Sequence, residues 1–191
     1  MSAQRKHQTF YSLKDYLEFE NDSNARHEYY QGEIYAMVGT TPRHNDIAFN
    51  LATSLTTKLR GRPCKARGMD QRLRVDAADL TTYPDILVVC PPVQMSARDS
   101  IAVTDATVLI EVLSPSTARY DQTAKFDFYC NLDSFRHYLL VDANGVGVEH
   151  RFKTQNGDWE NEQFTASDDE IAFNAIGCRL TLREIYEEIE F

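Results

Sequence analysis

Apolar residues recur with a helical period in one long segment of the chain. Within residues 42–61 an apolar side chain stands at every fourth position, as on one face of an amphipathic helix. These positions are Ile47, Leu51, Leu55 and Leu59. Pro42 suits the first turn of such a helix, and Gly61 and Pro63 end the pattern. The segment therefore predicts a long helix with one buried stripe.

A capping box is present near each end of the chain. Ser12, followed three residues later by Asp15, predicts the start of a helix over residues 12–20. The same pattern opens residues 181–190 and predicts a closing helix there. The apolar face of this closing helix consists of Leu182, Ile185, Tyr186 and Ile189. Such a face packs into the core or joins two subunits, and we expect a homo-oligomer, most simply a homodimer.

Two short runs are apolar at nearly every position, namely residues 86–90 (ILVVC) and 107–113 (TVLIEVL). Runs of this kind predict strands that are buried on both faces at the centre of a sheet. Residues 121–131 predict a short helix, and residues 135–141 predict another strand. Further β-prone segments are a hairpin around Gln31 and Gly32, extended chain at 64–75, and short strands at 147–152 and 159–164.

The order of these elements predicts an α/β (α+β) fold. We expect a mixed central sheet flanked by helices, with an added N-terminal hairpin and C-terminal strands and helix. The length of 191 residues suits a single domain over residues 1–191. No apolar run is long enough to cross a bilayer, and the N-terminus lacks the apolar region of a secretory signal. We therefore expect no membrane partner and a cytoplasmic location.

The net charge of −9 arises mostly in the C-terminal quarter of the chain. Residues 142–191 hold 12 acidic and 4 basic residues, a charge of −8, so residues 1–141 carry only −1. The acidic total therefore does not exclude binding to nucleic acid, which depends on the local charge. The cysteines are Cys64, Cys90, Cys130 and Cys178. They form no C-x-x-C pair, and we expect reduced, mostly buried thiols, as in a cytoplasmic protein.

A basic stretch at residues 58–74 holds seven Lys or Arg residues and one Asp, a charge of +6. If residues 71–75 form a strand, Arg72 and Arg74 share one face of it. Together with Lys65 and Arg67, they are possible contacts to the phosphate backbone of a nucleic acid. A solvated surface or a subunit contact would equally account for the stretch.

Two carboxylates stand at the ends of the predicted central strands. Glu111 interrupts the apolar run 107–113, where a carboxylate is costly unless it is paired or binds a cation. Asp85 follows Pro84 at the start of the run 86–90. Together they could hold a hard divalent ion. The residues alone leave open that Asp85 caps a strand and that Glu111 pairs with a buried arginine.

An ordered set of short motifs runs through the same region. It comprises Arg26-x-Glu28, Gln31-Gly32-Glu33, His44, Tyr83-Pro84-Asp85, Glu111-Val-Leu-Ser-Pro-Ser-Thr117, Asp121, Lys125, Tyr129 and His137-Tyr138-x-x-Val141-Asp142. With this set the chain resembles the Uma-type family, described as "putative restriction endonucleases" and formerly a domain of unknown function, within the PD-(D/E)XK nuclease superfamily. The resemblance covers a core of about residues 26–142. It implies a restriction-endonuclease-like fold with the site at one end of the central strands.

The same resemblance implies a metal-dependent endonuclease that hydrolyses DNA phosphodiester bonds. Asp85, Glu111 and the main-chain carbonyl of Val112 would bind Mg²⁺ (or Mn²⁺). Such an ion favours attack by water and offsets the charge that develops around phosphorus. The resemblance therefore predicts DNA as the partner.

The sequence departs from the superfamily pattern at one position. The expected lysine would fall at Leu113, and Lys125 on the following helix is its natural substitute. Alternatively, Lys125 is an exposed helix residue paired with Asp121 at i, i+4. Because of this departure, the alternative function is a catalytically inactive nuclease-fold module that binds or regulates.

Several other residues are weaker candidates for the site. His44 begins the long helix and points toward the sheet end, where it could donate to phosphate, bind metal, or bond to the backbone. Glu33 is a further carboxylate candidate or a solvated strand residue. We expect Arg26 and Glu28 to form a structural ion pair and Tyr129 to pack in the core.

Overall fold

The secondary structure is mixed, as the order of the predicted elements indicates. A computed structural model describes residues 10–37 and 39–191. The helices are α1 (Leu13–Asp22), α2 (Pro42–Lys58), α3 (Ala118–Tyr120), α4 (Phe126–Tyr129) and α5 (Leu182–Ile185). The strands are β1 (His27–Tyr30), β2 (Glu33–Ala36), β3 (Lys65–Gly68), β4 (Leu73–Val75), β5 (Leu80–Thr82), β6 (Ile86–Val89), β7 (Val108–Leu113), β8 (His137–Asp142), β9 (Val148–Lys153), β10 (Trp159–Phe164), β11 (Glu170–Phe173) and β12 (Cys178–Thr181). A π-helical turn, Asp121–Lys125, joins α3 to α4.

Six strands form the central sheet in the order β10-β9-β8-β7-β6-β3. β7 and β8 are parallel, whereas the other neighbours are antiparallel. The two continuous apolar runs are β6 and β7, and both lie inside the sheet with buried side chains. The mixed sheet predicted from these runs is confirmed.

A second, antiparallel sheet has the order β2-β1-β5-β4. Its β1–β2 hairpin turns at Gln31 and Gly32, whose φ angles of 46° and 88° lie in the left-handed region. This confirms the predicted hairpin. Strand β5 and the two-stranded ribbon of β11 and β12 are additional to the predicted elements. The short β5 matters for the site, because it leads directly into the segment that carries Asp85.

The alternation of side chains along β7 divides the core into two clusters. Val108, Ile110 and Val112 pack with α2 on one face of the sheet. Leu109 and Leu113 pack on the other face with the aromatic residues that follow the π-helical turn. Glu111 has the same parity as Leu109 and Leu113, and it therefore lies on the face covered by the π-helical turn and α4.

A helical crossover connects the parallel strands β7 and β8, as parallel pairing requires. It consists of α3, the π-helical turn and α4. The hydroxyl of Thr123 donates to the carbonyl of Arg119 at 2.6 Å, a side-chain bond of the kind that distorts a helix. The distortion lies in the turn that begins at Asp121 and ends at Lys125, both of which are buried. π-Helical turns are frequent at functional sites.

Two expectations about the chain are wrong. The closing helix is four residues long, and Leu182, Ile185 and Tyr186 are buried in the protein's own core. This apolar face is therefore not available to join subunits, and the homodimer stays a prediction. Cys64 and Cys90 are joined in a disulfide, while Cys130 and Cys178 are free. The expectation of a cytoplasmic location loses its argument from reduced cysteines. Among the described residues, no helix has the length and apolarity needed to traverse a bilayer.

Candidate active site

Asp85 and Glu111 are brought together by the antiparallel pairing of β6 and β7. The start of β6 lies beside the end of β7, with Ile86 opposite Ile110. The N–H of Val112 donates to Oδ2 of Asp85 at 2.8 Å. The N–H of Asp85 in turn lies 3.4 Å from Oε2 of Glu111. Main-chain donors on adjacent strands therefore fix the two carboxylates side by side.

Lys125 reaches this pair from the π-helical turn. Its Nζ lies 2.9 Å from Oε1 of Glu111, and its side chain is only 7% exposed. Nζ also lies 3.3 Å from Oδ1 of Asp121 and 3.6 Å from Oε1 of Glu28. The i, i+4 contact with Asp121 exists, but Lys125 is not the exposed helix residue of the alternative interpretation. It is the buried centre of three carboxylates.

Tyr129 and Thr82 complete the hydrogen bonding of these carboxylates. The hydroxyl of Tyr129 donates to Oε1 of Glu111 at 2.8 Å. The hydroxyl of Thr82, at the end of β5, donates to Oε1 of Glu28. Asp121, Lys125 and Tyr129 are spaced four residues apart, and all three are buried on the side of Glu111. That spacing was visible in the sequence as a possible common face.

His44 approaches Asp85 from the opposite layer. Thr41 caps α2 by accepting from the N–H of His44, so the ring is carried by the first turn of the helix. Nε2 of His44 lies 3.4 Å from Oδ2 of Asp85. Burial lowers the pKa of His44, but the hydrogen bond and charge of Asp85 and a bond with the main chain of Val112 raise it more, so the pKa is raised overall. His44 is therefore a proton donor toward Asp85.

The site contains more carboxylates than cations. The carboxylates are Glu28, Asp85, Glu111 and Asp121. Burial raises the pKa of Glu111 to about 8. The positive charge of Lys125 lowers this pKa, whereas the negative charges of Asp121 and Asp85 raise it. Burial lowers the pKa of Lys125, but the surrounding carboxylates, Glu111 first, raise it well above its ordinary value. Lys125 keeps its proton because carboxylates surround it, and a bound cation would likewise offset the excess of negative charge.

The donors at the sheet end suit a hard divalent ion. Among residues 10–37 and 39–191, no group of three or more His, Cys, Asp or Glu side chains is arranged to hold a metal ion. Mg²⁺, however, is commonly bound by one or two carboxylates and keeps several waters. Asp85, Glu111 and the carbonyl of Val112 provide such a set. The residues present therefore fit the ion.

Comparison with known proteins places the chain in a family. The model of the family Uma2, described as "Putative restriction endonuclease", matches residues 13–183. The chain belongs to this family. The uncharacterized protein slr1290 of Synechocystis sp. (strain ATCC 27184 / PCC 6803 / Kazusa) is 32% identical over 180 residues, 94% of this chain and 93% of the relative. A second protein of that organism, sll1609, is 31% identical over 160 residues, 84% of this chain and 90% of the relative.

A solved structure shares the fold of this Uma2 chain. The crystal structure of a "putative nuclease belonging to DUF820" from Anabaena variabilis ATCC 29413 superposes with a TM-score of 0.73. The match covers 92% of this chain and 97% of that chain at 18% sequence identity. The resemblance drawn from the motifs and the α+β fold class are confirmed.

The β1–β2 hairpin contributes the carboxylate of Glu28, which was expected to pair with Arg26. Glu28 contacts Lys125, whereas the expected partner Arg26 pairs with Asp70 at 2.6 Å. The expectation of an Arg26–Glu28 ion pair is wrong, because each side chain contacts a partner from another segment, Asp70 for Arg26 and Lys125 for Glu28. Glu33 lies on β2 and accepts a hydrogen bond from Tyr35. Its place in the site stays a prediction.

The proposed role of Arg72 and Arg74 in contacting nucleic acid is wrong. Both side chains are buried, and Arg74 has no exposed surface. Nη1 of Arg72 lies 2.8 Å from Asp99. Arg74 pairs with Asp76 at 2.9 Å and with Asp79. Carboxylates supplied by other segments satisfy these guanidinium groups, so they present no charge to a phosphate backbone.

The other two residues that were predicted to contact nucleic acid lie on the edge strand β3. Lys65 is exposed, and Arg67 is half-buried with its Nη1 2.7 Å from Oε1 of Gln71. They stay candidates for nucleic-acid contact.

A cavity of about 650 Å³ opens at the other end of the central strands. Its lining includes Cys90 after β6, Thr107 before β7 and Arg136 before β8. It is therefore separate from the carboxylates, which lie where β6 starts and β7 ends. The chemistry of the side chains, and not the size of the cavity, identifies the candidate site.

Proposed function

We propose that this protein is a Mg²⁺- or Mn²⁺-dependent endonuclease that hydrolyses DNA phosphodiester bonds. The observation that carries the proposal is the 2.9 Å contact between Nζ of Lys125 and Oε1 of Glu111. It supports a lysine that has moved from position 113 to the next helix while keeping its place beside the acid. The family description supports a nuclease, and it is the argument for DNA as the substrate class.

Asp85, Glu111 and the carbonyl of Val112 would hold the cation. When bound there, it supplies Lewis-acid activation of water and stabilises negative charge on the phosphate. Asp85 is suited to this role because the N–H of Val112 fixes its Oδ2. The orientation of the donors is therefore set by the backbone of two paired strands rather than by a flexible loop.

Lys125 acts as a donor in this proposal. Its pKa is raised, mainly because the neighbouring carboxylates oppose its burial, so it keeps its proton near neutral pH. A protonated ammonium does not abstract a proton from water, but it stabilises the developing charge on a phosphate oxygen. His44, which also has a raised pKa, is a second donor on the side of Asp85.

Cation binding is the first test, because it requires no assumption about the DNA sequence. We expect calorimetry to detect Mn²⁺ and Mg²⁺ binding by the wild-type protein. Glu111→Gln and Asp85→Asn should each abolish binding. Glu162→Gln changes an exposed glutamate on β10 and should bind like the wild type.

A cleavage assay on supercoiled and linear duplex DNA then tests the reaction. Protein that binds Mn²⁺ should nick or cut DNA in its presence, and Glu111→Gln should not. Binding of the ion without cleavage of any DNA or RNA would favour the non-catalytic module. No binding at millimolar ion, with or without DNA, would overturn the proposal.

A further inference from the structure

The two oxygens of Glu111 have different surroundings. Oε1 receives the hydroxyl of Tyr129 at 2.8 Å and the ammonium of Lys125 at 2.9 Å. Oε2 lies on the side of Asp85, 3.4 Å from its N–H. Both strong donors therefore act on the same oxygen. This arrangement directs Oε2 toward the carboxylate with which Glu111 would share a cation.

The two donors differ in their freedom to move. The ring of Tyr129 is fully buried and packs edge-on against Phe135 and Tyr138, with centroids 5.9 Å and 5.6 Å away. A tyrosine hydroxyl is positioned by two side-chain torsions, and here the packing fixes both. Lys125 has a flexible four-carbon stem and contacts three carboxylates. Of the two donors to Oε1, Tyr129 is therefore the one whose position is fixed by packing.

We propose that Tyr129 is a positioning residue, which holds the Glu111 carboxylate in its cation-binding orientation and so leaves the Lys125 ammonium free to turn to the phosphate. This inference rests on the proposed function. If Lys125 alone oriented Glu111, movement of the Lys125 ammonium toward the substrate would release the Glu111 carboxylate at the moment of reaction. The tyrosine separates these two tasks, because its bond to Oε1 persists when the ammonium leaves.

Removal of one oxygen atom tests the role of Tyr129. Tyr129→Phe should weaken Mn²⁺ binding about tenfold or more, the usual cost of losing a group that orients a metal ligand. Tyr138→Phe is the matched control, since the Tyr138 hydroxyl donates to the main-chain carbonyl of Asp121 at 2.9 Å and not to a carboxylate. We expect this variant to bind Mn²⁺ within about twofold of the wild type, with both variants folded by circular dichroism.

A double-mutant cycle with Lys125→Met distinguishes positioning from a general structural effect. Because both donors share Oε1, Tyr129→Phe should reduce Mn²⁺ affinity by a larger factor in the Lys125→Met background than in the wild type. An equal factor in both backgrounds would overturn the proposal, as would unchanged affinity in Tyr129→Phe or equal losses in Tyr129→Phe and Tyr138→Phe. Absence of binding by the wild type would instead remove the proposed function on which this inference rests.

Discussion

The ammonium of Lys125 lies 2.9 Å from the carboxylate of Glu111, although a leucine occupies the position two residues after that glutamate. Strand β7 places the glutamate, and the crossover to β8 returns the lysine to the same end of the sheet. The pairing therefore depends on the π-helical turn. The charge pair therefore forms without a lysine at position 113.

Replacing Lys125 with methionine should separate cation binding from cleavage. The side chain keeps most of its volume but loses its charge, so stabilisation of the phosphate should disappear and cleavage should fall about a hundredfold or more. Mn²⁺ affinity should be unchanged or higher, since a neighbouring positive charge is removed. Calorimetry and plasmid nicking measure the two effects. Cleavage by Lys125→Met at the wild-type rate would contradict the migrated-lysine mechanism, and exposed Lys14 provides the control as Lys14→Met.

Arg74 should contribute to stability rather than to DNA affinity. Its guanidinium is buried and bonded to Asp76, Asp79 and Thr81. Arg74→Met should therefore lower the free energy of unfolding by about 2 kcal/mol, because the buried hydrogen bonds of the guanidinium group to two carboxylates and to Thr81 are lost. Exposed Arg60 is the control, and Arg60→Met should change stability by no more than about 0.5 kcal/mol. Urea denaturation measures both, and an equally small effect at Arg74 would contradict its structural role.

The elements that were predicted correctly are those whose signal is local. Continuous apolar runs identified β6 and β7, and a four-residue period identified α2. Glu111 was visible because a carboxylate in an apolar strand is conspicuous. Lys125 required the family resemblance in addition, since nothing in its own segment distinguishes it from a surface lysine.

The missed features depend on partners that are distant in sequence. The guanidinium group of Arg72 is buried against Asp99, which lies 27 residues further along the chain. Tyr129 became a site residue only when the crossover placed its hydroxyl against Glu111. Cys64 and Cys90 are 26 residues apart and meet through the register of β3 and β6, which pairs Lys65 with Val89. Periodicity and composition carry no information about such register.

A buried histidine pair should make stability depend on pH. The N–H of Ala175 donates to Nε2 of His137, so this nitrogen carries no proton. The proton of the neutral His137 ring is therefore on Nδ1, which donates to Nε2 of His150 at 2.9 Å. Burial lowers the pKa of His137 to about 4 and that of His150 to about 3. If His150 were protonated at Nε2, that N–H group would face the N–H group at Nδ1 of His137. The pair is therefore stable only in the neutral form.

The direction of the pH effect follows from these values. Between about pH 4 and 6.5 the unfolded chain binds protons that the folded chain excludes, so stability is full above about 6.5 and is lost as the pH falls. For His137 alone the loss is about 3 kcal/mol by pH 4. The difference in unfolding free energy between pH 7 and pH 5 should be smaller in His137→Gln/His150→Leu than in the wild type. Equal differences would show that the pair does not control acid stability.

The Cys64–Cys90 disulfide should be a substantial part of the stability of the oxidised protein. It links residues 26 apart, and closing a loop of that length in the unfolded chain is worth about 3.5 kcal/mol. Dithiothreitol should lower the unfolding free energy of the wild type by about that amount in urea denaturation. Cys64→Ser/Cys90→Ser should start at the lower value and not respond to reductant. Cys130→Ser, which removes an exposed free thiol, should respond like the wild type. If reductant destabilises the double variant equally, the effect does not arise from this bond.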